Sequence, residues 1–238
     1  MIVRHSNGRL QLITQPDHAR LAATIMEHCA ALAGHPRRAT ILEAIAEHDT
    51  GWAVEDASPR INPTTGAVLD FITAPTSVRQ GVWPRCVALL GTDNAYAAAL
   101  VAQHAATVYY RQRGNPEWKD FFRDMEQRRD ALLRQCEAPL EQLLEDYTFV
   151  RLADIISLNF CTDATDLAQY GDWQVSRTPD GVAISPDIFG GATVAFEISA
   201  RELIDEPRES DEALWDAIRS SPTVILRGSA HGRADAAS

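Results

Sequence analysis

The sequence predicts a mainly α-helical bundle with a small antiparallel β-sheet, so that the protein is α+β overall. Apolar residues recur at helical spacing through most of residues 16–161, whereas short apolar runs separated by turn residues lie at both ends of the chain. The composition, with 45 % hydrophobic and 23 % charged residues among 238, is that of a globular protein. A chain of this length can form a core without a disulfide or a structural metal.

The first elements are a hairpin and two helices. Apolar runs on both sides of Ser6-Asn7-Gly8 predict a hairpin over residues 1–14, because Asn-Gly favours a tight turn. A helix follows from about residue 16 to Gly34, and a second one covers about residues 37–49. Gly51 lies just beyond it, where a left-handed cap would fit.

The rest of the chain alternates loops, helices and strands. The proline and glycine residues of positions 52–92 predict a long excursion of loops and short helices, of the kind that forms a lid or a pocket wall. Helical patterns then cover about residues 94–113, 117–136 and 139–161. Strands are predicted at residues 173–175, 182–184, 193–199 and 223–226, with a short helix at 209–219.

These elements predict three parts along the chain. We expect residues 1–165 to form a helical domain with the N-terminal hairpin. Residues 166–227 should form a small β-rich extension that packs on the same domain. Residues 228–238 are small and polar, which predicts a disordered tail.

Composition excludes several classes of protein. The formal charge of −11 disfavours nucleic acid as a partner, because affinity for that polyanion comes from Lys and Arg. The sequence has no long apolar run for a membrane span and no signal core at its start, so we expect a cytoplasmic protein without a membrane partner. Phosphate-binding loops and a serine-nucleophile motif are also absent. Four cysteines without a CxxC pair argue against a structural zinc site: Cys29, Cys86, Cys136 and Cys161.

Four separate helices each place one metal-type side chain on an apolar face, namely His18, His48, His104 and Asp154, and Asp49 directly follows His48. A single inward histidine is more often an ordinary core residue. A group of them with buried carboxylates costs several kcal/mol unless it is paired or coordinated. Nitrogen and oxygen ligands suit Fe, Mn, Co, Ni or Zn, so the sequence predicts one or two divalent transition-metal ions.

The contexts of these residues resemble two known families. His18 in QPDHARLA, His48-Asp49 in ILEAIAEHDTGW and Asp154 in VRLADIISL follow the order H…HD…D and resemble the HD superfamily of metal-dependent phosphohydrolases over about residues 10–165. More narrowly, the phrases MIVR, LITQPDHARLA and EHDTGW look like the uncharacterised bacterial family called domain of unknown function 3891, over nearly the whole chain. The second family supplies no established activity.

The HD resemblance implies an HD-type helical bundle and a metal-dependent hydrolase. The substrate would be a small anionic molecule, either a phosphorylated metabolite or a nucleotide. The ion would be held by His18, His48, Asp49 and Asp154, with His104 as an additional ligand, and it would activate a water that Asp49 holds or orients.

Neighbouring residues provide the other site candidates. Some HD nucleotidases carry a proton-handling Glu three residues after the HD Asp, and Trp52 occupies that position here. We therefore consider Glu55 and Asp56 as catalytic candidates. An arginine pair opens the HD helix, where an N-terminus also favours an anion. The candidate substrate-binding residues are Arg20, Arg37, Arg38 and Trp52.

Two other functions stay open. Some HD proteins are di-iron oxygenases with two further histidines between the HD pair and the last Asp, but residues 50–153 contain only His104. Such a site would need a substitute ligand from Glu55, Asp56, Asp70 or Asp93. A non-catalytic ligand-binding protein on the same scaffold is the second alternative. The apolar side of residues 117–136 either packs on the core or forms a homodimer contact.

Overall fold

The computed structural model describes residues 1–162 and 167–233. The helices of these residues are α1 (Gln15–Met26), α2 (Ala30–Ala33), α3 (Arg38–Glu47), α4 (Ala53–Ala57), α5 (Thr76–Gly91), α6 (Ala95–Val108), α7 (Lys119–Gln135), α8 (Leu140–Cys161) and α9 (Asp211–Ser220). The strands are β1 (Ile2–Ser6), β2 (Arg9–Ile13), β3 (Ala168–Tyr170), β4 (Trp173–Thr178), β5 (Gly181–Ser185), β6 (Thr193–Ile204) and β7 (Thr223–Gly232). In the described part of the chain, no helix is both long and apolar enough to cross a bilayer.

The strands form one seven-stranded sheet, which corrects the predicted fold class. Its order is β1-β2-β6-β7-β5-β4-β3, and the sheet curls into a half-barrel. Strand β7 pairs antiparallel with β6 and parallel with β5, so the sheet is mixed. The prediction of a small antiparallel sheet on an HD-type helical bundle is therefore wrong. It failed because the pairing of distant strands, unlike a turn, leaves no local signal in the sequence.

The N-terminal hairpin is confirmed, and it belongs to the large sheet. Asn7 and Gly8 both have positive φ, 51° and 73°, as a two-residue hairpin turn of the favoured type requires. Strand β2 continues the sheet by pairing with β6, with Leu10 opposite Leu203.

Part of the predicted disordered tail is a strand. Strand β7 extends to Gly232, so residues 228–232 lie in the middle of the sheet between β5 and β6. Small residues are required there: a Cβ on Gly228 would lie 2.6 Å from the ring of Phe160 and 2.9 Å from that of Phe196. Composition alone was misleading because packing, and not polarity, selects these residues. Residues 234–238 of the predicted tail lie outside the described residues.

Helix positions agree with the predictions in most of the helical region. Helices α3, α6, α7 and α8 lie where the apolar periodicity places them. The predicted first helix is interrupted, because α1 ends at Met26 and only the short α2 follows before Gly34. The larger correction concerns residues 52–92, which contain the 16-residue α5 with Pro84 inside it.

Helix α5 forms despite its proline because one face is buried. Pro84 removes one backbone hydrogen bond, but Trp83, Cys86 and Val87 are each at most 4 % exposed. These side chains belong to a single hydrophobic core that also includes the inner face of the sheet, such as Phe196 and Ile198 of β6. Tertiary packing therefore outweighs the local cost of the proline.

Helix α5 also packs closely against the turn that follows α3. A Cβ on Gly51 would lie 2.0 Å from the backbone oxygen of Val82. Gly51 is thus required by the close approach of α5 rather than by the left-handed cap that its position suggested, since its φ is not positive. The thiol of Cys86 donates to the carbonyls of Glu47 and His48, which end α3.

We predict opposite effects of alanine at two glycines near this contact. Gly51→Ala should destabilise the protein by about 1–3 kcal/mol, because the added methyl group has no space. Gly81→Ala, on the exposed side of α5 with nothing within 4 Å of its Cβ, should be neutral or stabilising by up to about 1 kcal/mol. Urea denaturation of the two variants measures both effects. Equal stability of the two variants would contradict the packing of α5 on Gly51.

Candidate metal centre

Five buried residues from four helical elements form one group, here called the His/Asp cluster: His18, His48, Asp49, His104 and Asp154. His18 lies in the first turn of α1, His48 and Asp49 end α3, and the other two come from α6 and α8. All five residues are at most 5 % exposed. The apolar periodicity that predicted inward positions for them therefore agrees with the structure.

The spacing of the ligand atoms fits one coordination sphere. The Nε2 atom of His18 lies 3.5 Å from Asp49 Oδ2 and 3.3 Å from Asp154 Oδ1. For His48 Nε2 the corresponding distances are 3.4 and 3.6 Å. Two ligand atoms bound to one ion at about 2.0–2.2 Å lie roughly 3.0–3.6 Å apart. Ordinary hydrogen bonds are shorter than these distances.

Unsatisfied polar atoms in the cluster support the same interpretation. Within residues 1–162 and 167–233, neither ring nitrogen of His18 has a hydrogen-bond partner, and nor does Nε2 of His48. Buried polar groups in folded proteins are nearly always paired, and each exception needs an explanation. A cation bound to the two Nε2 atoms and the carboxylates would supply it. These residues could therefore hold a metal ion, in the two overlapping groups His18-His48-Asp49 and His48-His104-Asp154.

Surrounding groups orient the cluster. His48 Nδ1 donates a hydrogen bond of 2.6 Å to the Ile45 carbonyl, which directs Nε2 toward the carboxylates. His104 Nδ1 lies 3.1 Å from the Tyr147 hydroxyl. Arg151 donates to Asp154 Oδ2 at 2.6 Å, so Oδ1 of that carboxylate remains for an ion. Such outer contacts are typical of protein metal sites.

Two effects determine the pKa values of the cluster residues: burial, which disfavours the charged form, and the charges of neighbouring side chains. Burial lowers the pKa of His48, but the negative charges of Asp49 and Asp154 outweigh it and raise that pKa to about 9. For His104 burial prevails, and the pKa is well below its usual value. Burial raises the pKa of Asp49. The pKa of Asp154 is well below its usual value, because His18, His48, His104 and Arg151 outweigh burial.

A cavity of about 340 Å³, here called the central cavity, opens onto the cluster. Asp49, His104 and Asp154 lie in its wall, beside the aromatic side chains of Trp52, Trp83 and Tyr109. The ring of Trp83 contacts that of His104, with a centroid distance of 5.5 Å. A small molecule in this cavity would therefore touch the cluster directly.

Three arginines line the central cavity: Arg79, Arg111 and Arg151. Arg151 is paired with Asp154. Within the described residues, Arg79 and Arg111 form no salt bridge. Two acidic and three basic side chains thus give the cavity a positive balance within a protein whose formal charge is −11.

The other sequence-predicted candidates lie in different places. Trp52 lines the central cavity. Glu55 forms a salt bridge with Arg85. Asp56 accepts a hydrogen bond from the backbone of Gln15 and is paired with the Met1 nitrogen. Neither acidic side chain lies in the cavity wall.

None of the three predicted substrate-binding arginines lines the central cavity. Arg20 pairs with Asp17 on the surface of α1. Arg37 forms two hydrogen bonds with the buried carboxylate of Asp146. Arg38 donates to the backbone oxygen of Glu27. The position of Arg37 and Arg38 at the start of α3 therefore does not direct their side chains toward the cluster.

Sequence reasoning missed the arginines of the cavity wall. Residues 52–92 were expected to form loops and short helices of a lid or pocket wall; they do contribute Arg79 and Trp83 to the wall, but from the regular helix α5. Arg111 follows α6 in a short 3₁₀ turn. A signal did exist for Arg151, because it precedes Asp154 by three residues and so shares its helix face.

Gln15 was also missed. It is 2 % exposed, lies in the cavity wall, and its Oε1 has no hydrogen-bond partner in the described part of the chain. Its position one turn before His18 on α1 was available in the sequence.

The sequence was compared with models of known protein families, with curated proteins and with solved structures. The family model described as "Protein of unknown function (DUF3891)" matches residues 1–203. The matched range contains all five residues of the His/Asp cluster. No curated protein and no solved structure matches the chain.

We predict that the His/Asp cluster binds about one divalent transition-metal ion per chain. His48→Ala should remove most of the bound metal, because it deletes a nitrogen shared by both ligand groups. His28→Ala changes an exposed histidine and serves as the matched control. Elemental analysis of protein purified without a His tag measures both. Equal metal content in the two variants would exclude the cluster as the binding site.

We also predict that metal binding releases a proton. Without metal, His48 is protonated below its pKa of about 9, whereas a metal ligand must be a neutral imidazole. Affinity should therefore rise about tenfold per pH unit between roughly pH 7 and pH 9. Calorimetry in buffers with different ionisation enthalpies counts the released protons. A binding enthalpy that does not depend on the buffer would contradict the prediction.

Proposed function

The chain belongs to the DUF3891 family, and we propose from its candidate site that it is a metal-dependent hydrolase of small phosphorylated molecules, similar to HD phosphohydrolases. The observation that carries the proposal is the position of the His/Asp cluster in the wall of a cavity lined by arginines. A cluster alone would support only metal binding. Arginines beside it add the means to hold a phosphoryl group.

The chain supplies distinct groups for this reaction. A divalent ion in the cluster would polarise a phosphoryl oxygen and lower the pKa of a coordinated water. Asp49 lies both in the His/Asp cluster and in the cavity wall, so its carboxylate could hold or orient that water. Arg79 and Arg111 can bind the phosphoryl oxygens that do not react. The apolar rings of Trp52 and Trp83 line the same cavity and reduce the access of bulk water to the cluster.

The ligand set favours a single ion over the two of a di-iron oxygenase. His48 is common to both ligand groups, and its Nδ1 already donates to a carbonyl, so its Nε2 can serve one ion only. The proposed substitute ligands lie elsewhere: Glu55 pairs with Arg85, and Asp70 accepts hydrogen bonds from Thr73. These observations support hydrolysis as the proposal.

The experiment is release of inorganic phosphate from a panel of phosphomonoesters. Metal-free protein should be inactive, and one of Mn²⁺, Co²⁺, Ni²⁺, Fe²⁺ or Zn²⁺ should restore turnover. Oxygen consumption with Fe²⁺ is measured in parallel. Oxygen uptake without phosphate release would favour the oxygenase. Ligand binding that persists in His48→Ala, with neither reaction, would favour a non-catalytic binding protein.

Arginine variants test the cavity. Arg79→Ala and Arg111→Ala should each raise KM about tenfold or more, since a hydrogen bond to a charged group contributes about 1.5–3 kcal/mol. Arg20→Ala removes an arginine that is paired on the surface, so it should leave KM unchanged. Steady-state kinetics distinguishes the two sites. A rise in KM confined to Arg20→Ala would place substrate binding outside the central cavity.

A further inference from the structure

A second cavity lies beside the central cavity. This side cavity has a volume of about 630 Å³, and its wall is mostly apolar, with residues from β1, from the segment before α5 and from α8. Val3, Val68, Ile155 and Leu158 contribute to it. None of the five residues of the His/Asp cluster lines the side cavity. The side cavity therefore lacks the metal-binding groups of the central cavity, and its charged residues are Asp70 and Arg151.

The two cavities share part of their walls. Phe71, Ile72, Arg151 and Leu158 line both of them. Arg151 also donates to Asp154, so this arginine joins the cluster to the entrance of the side cavity. Ile72 is 62 % exposed, which leaves a large apolar side chain uncovered at the boundary. A molecule that occupied both cavities would cover it.

A buried polar atom in the side cavity also lacks a partner. Asn159 is 4 % exposed and lies in the cavity wall, and its Oδ1 accepts no hydrogen bond in the described part of the chain. Asn159 lies five residues after Asp154, between one and two turns further along α8. A substrate whose apolar part carries one hydroxyl or amide donor would satisfy this oxygen, which an unsubstituted alkyl chain would leave unpaired.

We propose that the side cavity binds the apolar part of the substrate, so that the protein acts on an amphiphilic anion rather than on a compact polar one. This inference rests on the proposed function for the identity of the anionic end. The anionic group lies in the central cavity against Arg79, Arg111 and Arg151. The apolar chain passes Ile72 and lies along Ile155 and Leu158 of α8.

The first experiment measures binding rather than turnover. Calorimetry of the Mn²⁺-loaded full chain with methyl-, butyl- and octylphosphonate compares the same anion on apolar chains of increasing length. Burial of a methylene contributes up to about fourfold in affinity. We expect octylphosphonate to bind at least about tenfold more tightly than butylphosphonate. Equal affinities for the two, or no binding of any phosphonate, would overturn the proposal.

A pair of variants places the effect in the side cavity. Val68→Trp fills space in the side cavity at a position that does not line the central cavity. It should reduce the octyl-to-butyl ratio toward one, while methylphosphonate affinity stays unchanged and shows that the protein is folded. Ala67→Trp adds the same side chain at the adjacent exposed position and should keep the ratio. An unchanged ratio in Val68→Trp would also overturn the proposal.

Turnover separates this inference from the proposed function. Phosphate release from butyl and octyl phosphate is measured with the same variants. Chain-length-dependent phosphonate binding without phosphate release supports the side cavity and contradicts the hydrolase. Phosphate release with equal KM for both esters and equal phosphonate affinities supports the hydrolase and contradicts the role of the side cavity.

Discussion

The arrangement of the helices depends on how the charge of Asp154 is tolerated in the interior. An isolated buried carboxylate would cost several kcal/mol. Here three imidazoles and the guanidinium of Arg151 surround it, and together they hold its pKa well below the usual value. Helices α1, α3, α6 and α8 supply these groups. The position of each helix is therefore linked to a single polar centre as well as to the apolar core.

The turn after α3 connects the position of the His/Asp cluster to that of α5, which forms part of the cavity wall. Asp49 directly precedes the turn, and Gly51 allows α5 to approach it closely. Helix α5 then brings Trp83 against the His104 ring and Arg79 into the cavity wall. The Cys86 thiol of the same helix donates hydrogen bonds to the carbonyls at the end of α3. This packing contact thus links the cluster to the α5 side chains that line the central cavity.

Local patterns predicted the features that depend on local physics. Asn7-Gly8 predicted the hairpin, because a two-residue turn needs positive φ at both positions. Apolar periodicity predicted inward positions for His18, His48, His104 and Asp154, because helix geometry alone determines which residues share a face.

Features that depend on distant packing could not be predicted in this way. Helix α5 forms because burial of its apolar face outweighs the unfavourable helix propensities of Gly81 and Pro84. Locally, these two residues predict an interruption of the helix. Arg79 lines the cavity from this helix, and Arg111 lines it from the turn after α6. The sheet joins β2 to β6, about 190 residues apart in the chain, and β5 to β7 in parallel. Neither pair of strands is connected by a tight turn, so no local sequence motif predicts these pairings.

The central position of β7 has a consequence for synthesis of the chain. Strands β5 and β6 are not neighbours in the sheet, and each is hydrogen-bonded to β7 on one side. Residues 223–232 leave the ribosome after the other six strands of the described sheet. Until then, two facing strand edges lack their partner, and such edges favour association between nascent chains. The sheet can therefore close only after β7 has been synthesised.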